Sequence, residues 1–124
     1  MADNNLRIKE CPESPNCVSS LSSADRSKID PLKYRGSIDE ARLALKSILA
    51  SMRGSEIVKD EPEYIHATFT STIFGFVDDV EFILDDLGKI INFRSASRTG
   101  YYDFGVNRRR MEGIARAFEK TQGK

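Results

Sequence analysis

The sequence predicts an α+β fold: a two-layer sandwich with a four-stranded antiparallel meander sheet, two helices on one face and an N-terminal extended arm. Three observations predict it. Apolar residues recur at helical spacing in two separate stretches, one starting near Ile38 and the other near Met111. Between those stretches, short runs alternate apolar and polar residues, the period of a strand with one face in water. The loops joining the runs are too short for parallel crossovers, so neighbouring strands must be antiparallel. Both helices must then cover the one apolar face of the sheet, because that is where hydrophobic surface is left over.

The first 36 residues read as an arm. Pro12, Pro15 and Pro31, the serine-rich run from Ser19 to Ser23 and several Asp and Asn supply turn chemistry without a sustained period. Val18, Leu21, Ile29, Leu32 and Tyr34 are the residues by which this arm would lie along the domain. The single α+β domain follows over residues 37–120, and residues 121–124 form a frayed tail.

The helix SIDEARLALKSILASMRG opens with a capping box, in which Ser37 accepts from the amide of Glu40 and Glu40 reaches back to the amide of Ser37. Ile38, Ala41, Leu45, Ile48, Leu49 and Met52 share a stripe, and Gly54 offers the left-handed stop. EIVKDE is a short strand, and DEPE turns the chain. In YIHATFTSTI, Ile65, Ala67, Phe69 and Ile73 alternate with His66, Thr68, Thr70 and Thr72. A tight connection around Gly75 leads to DVEFILD, with Val80, Phe82 and Leu84 inward and Glu81, Ile83 and Asp85 outward. DLGK turns the chain near Gly88. IINFRSASR then places Ile91 and Phe93 inward, with Asn92, Arg94 and Arg98 outward. A four-residue DLGK loop sets Phe82 opposite Phe93 and Glu81 opposite Arg94, and a one-residue slip would put both phenylalanines in water. Met111, Ile114, Ala115 and Phe118 form the stripe of the last helix, which frays from Lys120.

Composition narrows the function classes. Apolar residues make up 40% and charged residues 31% of 124, a balance that supports one modest core rather than a disordered chain. Nineteen basic residues match nineteen acidic ones, so no global field draws the chain to nucleic acid. The polar sheet face (Thr68, Thr70, Thr72, Asn92, Arg94) also has too few aromatics to stack on single-stranded bases. No apolar run approaches the roughly 20 residues of a membrane span. The N-terminus MADNNLRIKE has no signal-peptide core, so the sequence as it stands reads as cytoplasmic. Cys11 and Cys17 either close a short disulfide loop in an oxidising compartment or remain two thiols. His66 is the single histidine, too few for a structural zinc site, and no cofactor motif is present.

CPESPNCVSS, FGFVDDVEF, RSASR and GYYDFGVNRRR together resemble the signature segments of the bacterial and plastid family known as domain of unknown function 1499, over residues 11–118. The resemblance implies no catalytic residues. It implies that members are exported or membrane-tethered, against the cytoplasmic reading.

One cluster is anomalous. Arg108, Arg109 and Arg110 stand where the last helix begins, although a helix N-terminus carries partial positive charge and each arginine there costs a few tenths of a kcal/mol or about that. Ser95, Ser97, Arg98, Asp103, Asn107 and Arg108 form a candidate ligand-binding rim of guanidinium groups, hydroxyls and helix-end amides, a combination suited to an anion. Asp103 or Asn107 would cap the helix. The competing reading pairs these arginines internally with Asp78, Asp79, Glu81, Asp85, Asp86 or Asp103. DDVE offers carboxylates, but only Asp79 and Glu81 share a strand face, with Glu81 as a cross-strand partner for Arg94. Cys17 as nucleophile with His66 as base lacks an acidic residue placed to orient the histidine.

The sequence thus reads as a small binding or scaffold module for a small anion or a protein partner at the rim. A hydrolase-like enzyme using the same rim or Cys17 is the alternative. A protein–protein interaction domain is a second, to be sought at Phe74, Phe76, Tyr101, Tyr102 and Phe104.

Overall fold

The computed structural model describes residues 8–12, 15–100 and 103–122. Helix α1 spans Ile38–Ala50 and starts with the expected capping box: the Glu40 amide donates to Ser37 Oγ at 3.0 Å and the Ser37 amide to Glu40 Oε1 at 3.2 Å. Ala41, Leu45 and Leu49 are its buried stripe. Gly54, at a φ of 81°, carries the chain out of the helix region into the sheet.

Among the described residues the sheet has six strands, not four. Strands β3 (Ser55–Glu61), β4 (Tyr64–Thr70), β5 (Val77–Asp85) and β6 (Ile90–Ser97) form the meander. The arm adds β1 (Cys17–Ser19) and β2 (Leu32–Lys33), both antiparallel to β6, giving the order β1-β6-β5-β4-β3 with β2 beside β6 as well. The physical reason is the free edge of β6. Its outward amides and carbonyls need partners when buried, and segments of three and two residues supply them at Ala96 and Ile91. A bulge between Ile57 and Lys59 breaks the opposite edge strand and leaves Val58 half exposed.

Register in the hairpin is as the alternation requires: Phe82 faces Phe93, with ring centroids 6.4 Å apart, and Glu81 faces Arg94. The Glu81 carboxylate, however, accepts from the Tyr64 hydroxyl, and no ion pair joins it to Arg94 among the described residues. Ile73 departs from its expected inward place. Strand β4 ends at Thr70, and bonds from the Ser71 amide to Phe76 O and from the Gly75 amide to Ser71 O close a loop that leaves Ile73 83% exposed. Alternation cannot register where the chain stops being a strand. In the β5–β6 turn the left-handed residue is Lys89, not Gly88.

Helix α2 spans Val106–Gln122, running past the residue at which the sequence pattern frays it, and the Gln122 side chain accepts from the amide of Arg35. Both helices pack on one sheet face, where Leu45, Leu49, Ile65, Phe82, Phe93, Met111, Ile114 and Phe118 form one core. The other face is not uniformly wet. Ile8 and Leu21 of the arm lie against Tyr64 and Ile83, and Ser20 Oγ donates to Asn92 Oδ1 at 2.8 Å, so Asn92 and Ile83 are buried there. A disulfide between Cys11 and Cys17 ties this part of the arm to β1.

Candidate functional site

The last residues of β6 alternate as a strand must. Ser95 and Ser97 point toward the helices, while Arg98 turns to the opposite face. The first buried position of α2 is Asn107, four residues before Met111 on the same stripe. Ser95, Ser97, Asp103 and Asn107 therefore meet. Ser95 Oγ donates to Asn107 Oδ1, and Asn107 Nδ2 donates to Ser97 Oγ at 3.1 Å, Asn16 O at 3.2 Å and Asp103 Oδ2 at 2.8 Å. Ser95 and Asn107 are fully buried, and in such a place every polar atom needs a partner.

Asp103 caps the helix. It accepts from the amides of Gly105 and Asn107, at 2.9 and 3.1 Å. Burial works to raise its carboxyl, but the hydrogen bonds from Asn107 and from backbone amides outweigh burial and hold it below the usual carboxylate range. The helix end thus already holds an anion, supplied by its own chain.

Each of the three arginines has an acceptor. Arg108 donates to the carbonyls of Arg26 and Lys28 in the arm, at 2.9 and 3.2 Å. Arg109 donates to Phe104 O at 2.7 Å. Arg110 lies inside: its guanidinium donates to Asn107 Oδ1 at 2.8 Å, Ser95 Oγ at 3.2 Å and Asp78 Oδ2 at 2.7 Å, and it sits 4.5 Å from the centre of the Phe69 ring. Neither Arg110 nor Asp78 belongs to the six-residue rim read from the sequence. Both carried a signal, however. Arg110 falls four residues before Ile114 on the buried stripe, and Asp78 shares strand parity with Val80, Phe82 and Leu84.

Arg98 and Arg108 do not join the cluster. Arg98 makes a two-pronged bond to Asp79, Nε to Oδ2 at 2.7 Å and Nη2 to Oδ1 at 3.0 Å, on the outer sheet face. His66 Nε2 lies 2.8 Å from the same carboxylate. The Arg98 bonds lower the Asp79 carboxyl, and His66 adds to that against the opposing effect of burial. The Cys17 sulfur is bonded to Cys11 and its side chain is buried, and β1 is separated from His66 on β4 by β6 and β5. This state holds no thiolate for the histidine to activate. Among the described residues no group of three or more His, Cys, Asp or Glu is placed to hold a metal ion, and no helix is long and apolar enough to cross a membrane.

Beside the polar cluster lies a cleft of about 880 Å³, between the β4–β5 loop, the β6–α2 loop and the end of α1. Phe74, Phe76 and Phe104 line it at 73, 58 and 73% exposure, and the first two rings stack with centroids 5.4 Å apart. Arg53 and Arg109 line the same space, as do Ser97 and Asp103 of the rim. Tyr101 and Tyr102, the other aromatics flagged in the sequence, lie outside the described residues.

The family described as "Protein of unknown function (DUF1499)" matches residues 7–118, and the chain belongs to it. Comparison with curated proteins and with solved structures gives no match.

Proposed function

We propose that this member of the DUF1499 family is a binding module that recognises an anionic ligand or partner at the cleft between the β4–β5 loop and the start of α2. One observation carries the reading. Of the charged groups lining the cleft, Asp78 is held by Arg110 and Asp103 by the amides it caps, which leaves Arg53 and Arg109 without a carboxylate partner among the described residues. Guanidinium groups on the wall of a concave site suit a carboxylate or phosphate, which they bind through paired N–H donors. The volume falls within the range of about 300–1,000 Å³ typical of small-ligand sites.

The proposed anion site overlaps the rim suggested by the sequence. Its guanidinium groups are those of Arg53 and Arg109, with Ser97 and Asp103 at its border. Phosphate or sulfate at millimolar concentration should raise the melting temperature of the native chain. The shift should vanish in Arg53→Gln/Arg109→Gln and persist in Arg98→Ala and Arg108→Ala. No shift in the native chain, or a shift indifferent to Arg53 and Arg109, overturns the reading.

Protein–protein interaction is the second reading. Ile73 favours it, being 83% exposed at the loop tip and outside the cleft lining. Sedimentation of the native chain with candidate partners tests it.

A further inference from the structure

We infer that the occupant of this cleft is a single-tailed amphiphile, an alkyl or acyl chain ending in one small oxyanion, carboxylate or phosphate. The inference rests on the anion-binding reading above and adds the chemistry of the rest of the ligand.

Two features of the cleft converge on that class. Exposed apolar groups stand on its walls: the stacked Phe74 and Phe76 on one loop and Phe104 on the other, with Val106 at the start of α2 also partly exposed. A domain of this size normally buries such rings, and the stacked Phe74 and Phe76, largely exposed, mark a surface kept for an apolar contact. The second feature is the balance of the lining, whose exposed surface is more apolar than polar. A sugar or nucleotide needs several donors and acceptors in fixed geometry. Here the Ser95–Asn107–Arg110–Asp78 network spends its hydrogen-bonding capacity internally. What the lining offers a ligand is Arg53, the part of Arg109 not donated to Phe104 O, a few hydroxyl residues (Thr70, Ser71, Thr72, Thr99) and a larger apolar surface, which suits one anionic head on one apolar tail. A flat protein interface fits less well, because the rings line a concave space.

The test uses the intact chain with dodecanoate and dodecyl phosphate, below the concentrations at which either forms micelles, and with acetate, inorganic phosphate and dodecanol as comparisons. Binding is read by calorimetry. Dodecanoate or dodecyl phosphate should bind at least about tenfold more tightly than the short anions, since buried methylenes each add to affinity. Dodecanol, lacking the charge, should bind about tenfold or more weakly than either charged amphiphile. Phe76→Ser should remove the chain-length gain, and Arg53→Gln the head-group gain. Far-ultraviolet dichroism and an unchanged melt verify that each variant folds.

The outcomes separate the two readings. Short anions that bind with no gain from the tail overturn this inference and leave the anion site standing. Dodecanol equal to dodecanoate overturns both. A chain that floats with phosphatidylglycerol vesicles yet ignores monomeric dodecanoate has a bilayer as its occupant, and a dimer that dodecanoate does not dissociate has a second copy there. Either result overturns the inference.

Discussion

The Arg110 guanidinium donates to the Asp78 carboxylate at 2.7 Å across the gap between α2 and β5, and each side chain is only 11% exposed. The pair accounts for one of the three arginines that stand against the helix dipole. The unfavourable end effect is a few tenths of a kcal/mol or about that. It is smaller than the cost of leaving Asp78 unpaired among apolar groups. Removing one partner of such a pair costs about 3 kcal/mol or more, while removing both costs much less, because no buried charge is then stranded. Arg110→Met should therefore lower urea-measured stability by about 3 kcal/mol, and Asp78→Ala/Arg110→Met should recover most of that loss. Additive losses in the double variant would show that the pair is not coupled.

Acid should unfold this domain through its carboxylates. Asp79, held by Arg98 and His66, and Asp103, held by Asn107 and backbone amides, both titrate lower in the folded chain than when unfolded. A carboxyl with a depressed folded value adds stability that is fully present above its unfolded value of about 3.9. That stability is lost as pH falls through the folded value. Stability should therefore fall as pH drops below about 4. In Asp79→Asn the fall should be shallower, with lower stability at neutral pH, as read from denaturant midpoints at each pH. A slope identical to that of the native chain would remove Asp79 from the account.

Reduction of the disulfide should act on the arm and spare the cleft. Cys11 and Cys17 are six residues apart and close a short loop, for which loss of chain entropy gives a stabilisation of about 2 kcal/mol. Cys11→Ser/Cys17→Ser, or dithiothreitol, should cost about that much. Hydrogen exchange should quicken first at the β1–β6 pairing and around Ser20 and Asn92, where the arm covers the outer sheet face. Protection at Asn107 and Met111 should change little. Uniform loss of protection would mean that the arm and the domain unfold as one unit.

These elements differ in how plainly the sequence announces them. The capping box of α1 and the Phe82–Phe93 register are legible because each rests on a local rule: a reciprocal side-chain cap, and a period-two pattern that fails badly when slipped. Strands β1 and β2 are not legible, since three and two residues cannot display a period and exist by virtue of the edge they complete. Arg110 was missed because an apolar stripe is read by skipping charges, although its spacing to Ile114 and Phe118 places it on the buried face. The cleft is a meeting of three chain segments, of which the sequence marks the exposed aromatics and the rim residues Ser97 and Asp103. Arg53, just past the end of α1 and far along the chain from Arg109, bears no local mark of its role.

Gly54 offers the sharpest backbone test. It sits at φ 81°, where an L residue is strained, and a Cβ built there would lie 2.5 Å from the carbonyl oxygen of Thr70. The Thr70 amide donates to Gly54 O at 3.0 Å, so the two backbones are held against each other where α1 gives way to the sheet. Neither constraint can relax without moving the end of β4. Gly54→Ala should cost more than the roughly 1 kcal/mol of a left-handed penalty alone, because the close approach adds to it. Gly75 supplies the comparison: its φ is 71°, but nothing lies within 4 Å of a built Cβ. Gly75→Ala should show only the conformational penalty, about 1 kcal/mol. Thermal or urea melts of the two variants measure the difference, and equal losses would show that contact with Thr70 contributes nothing.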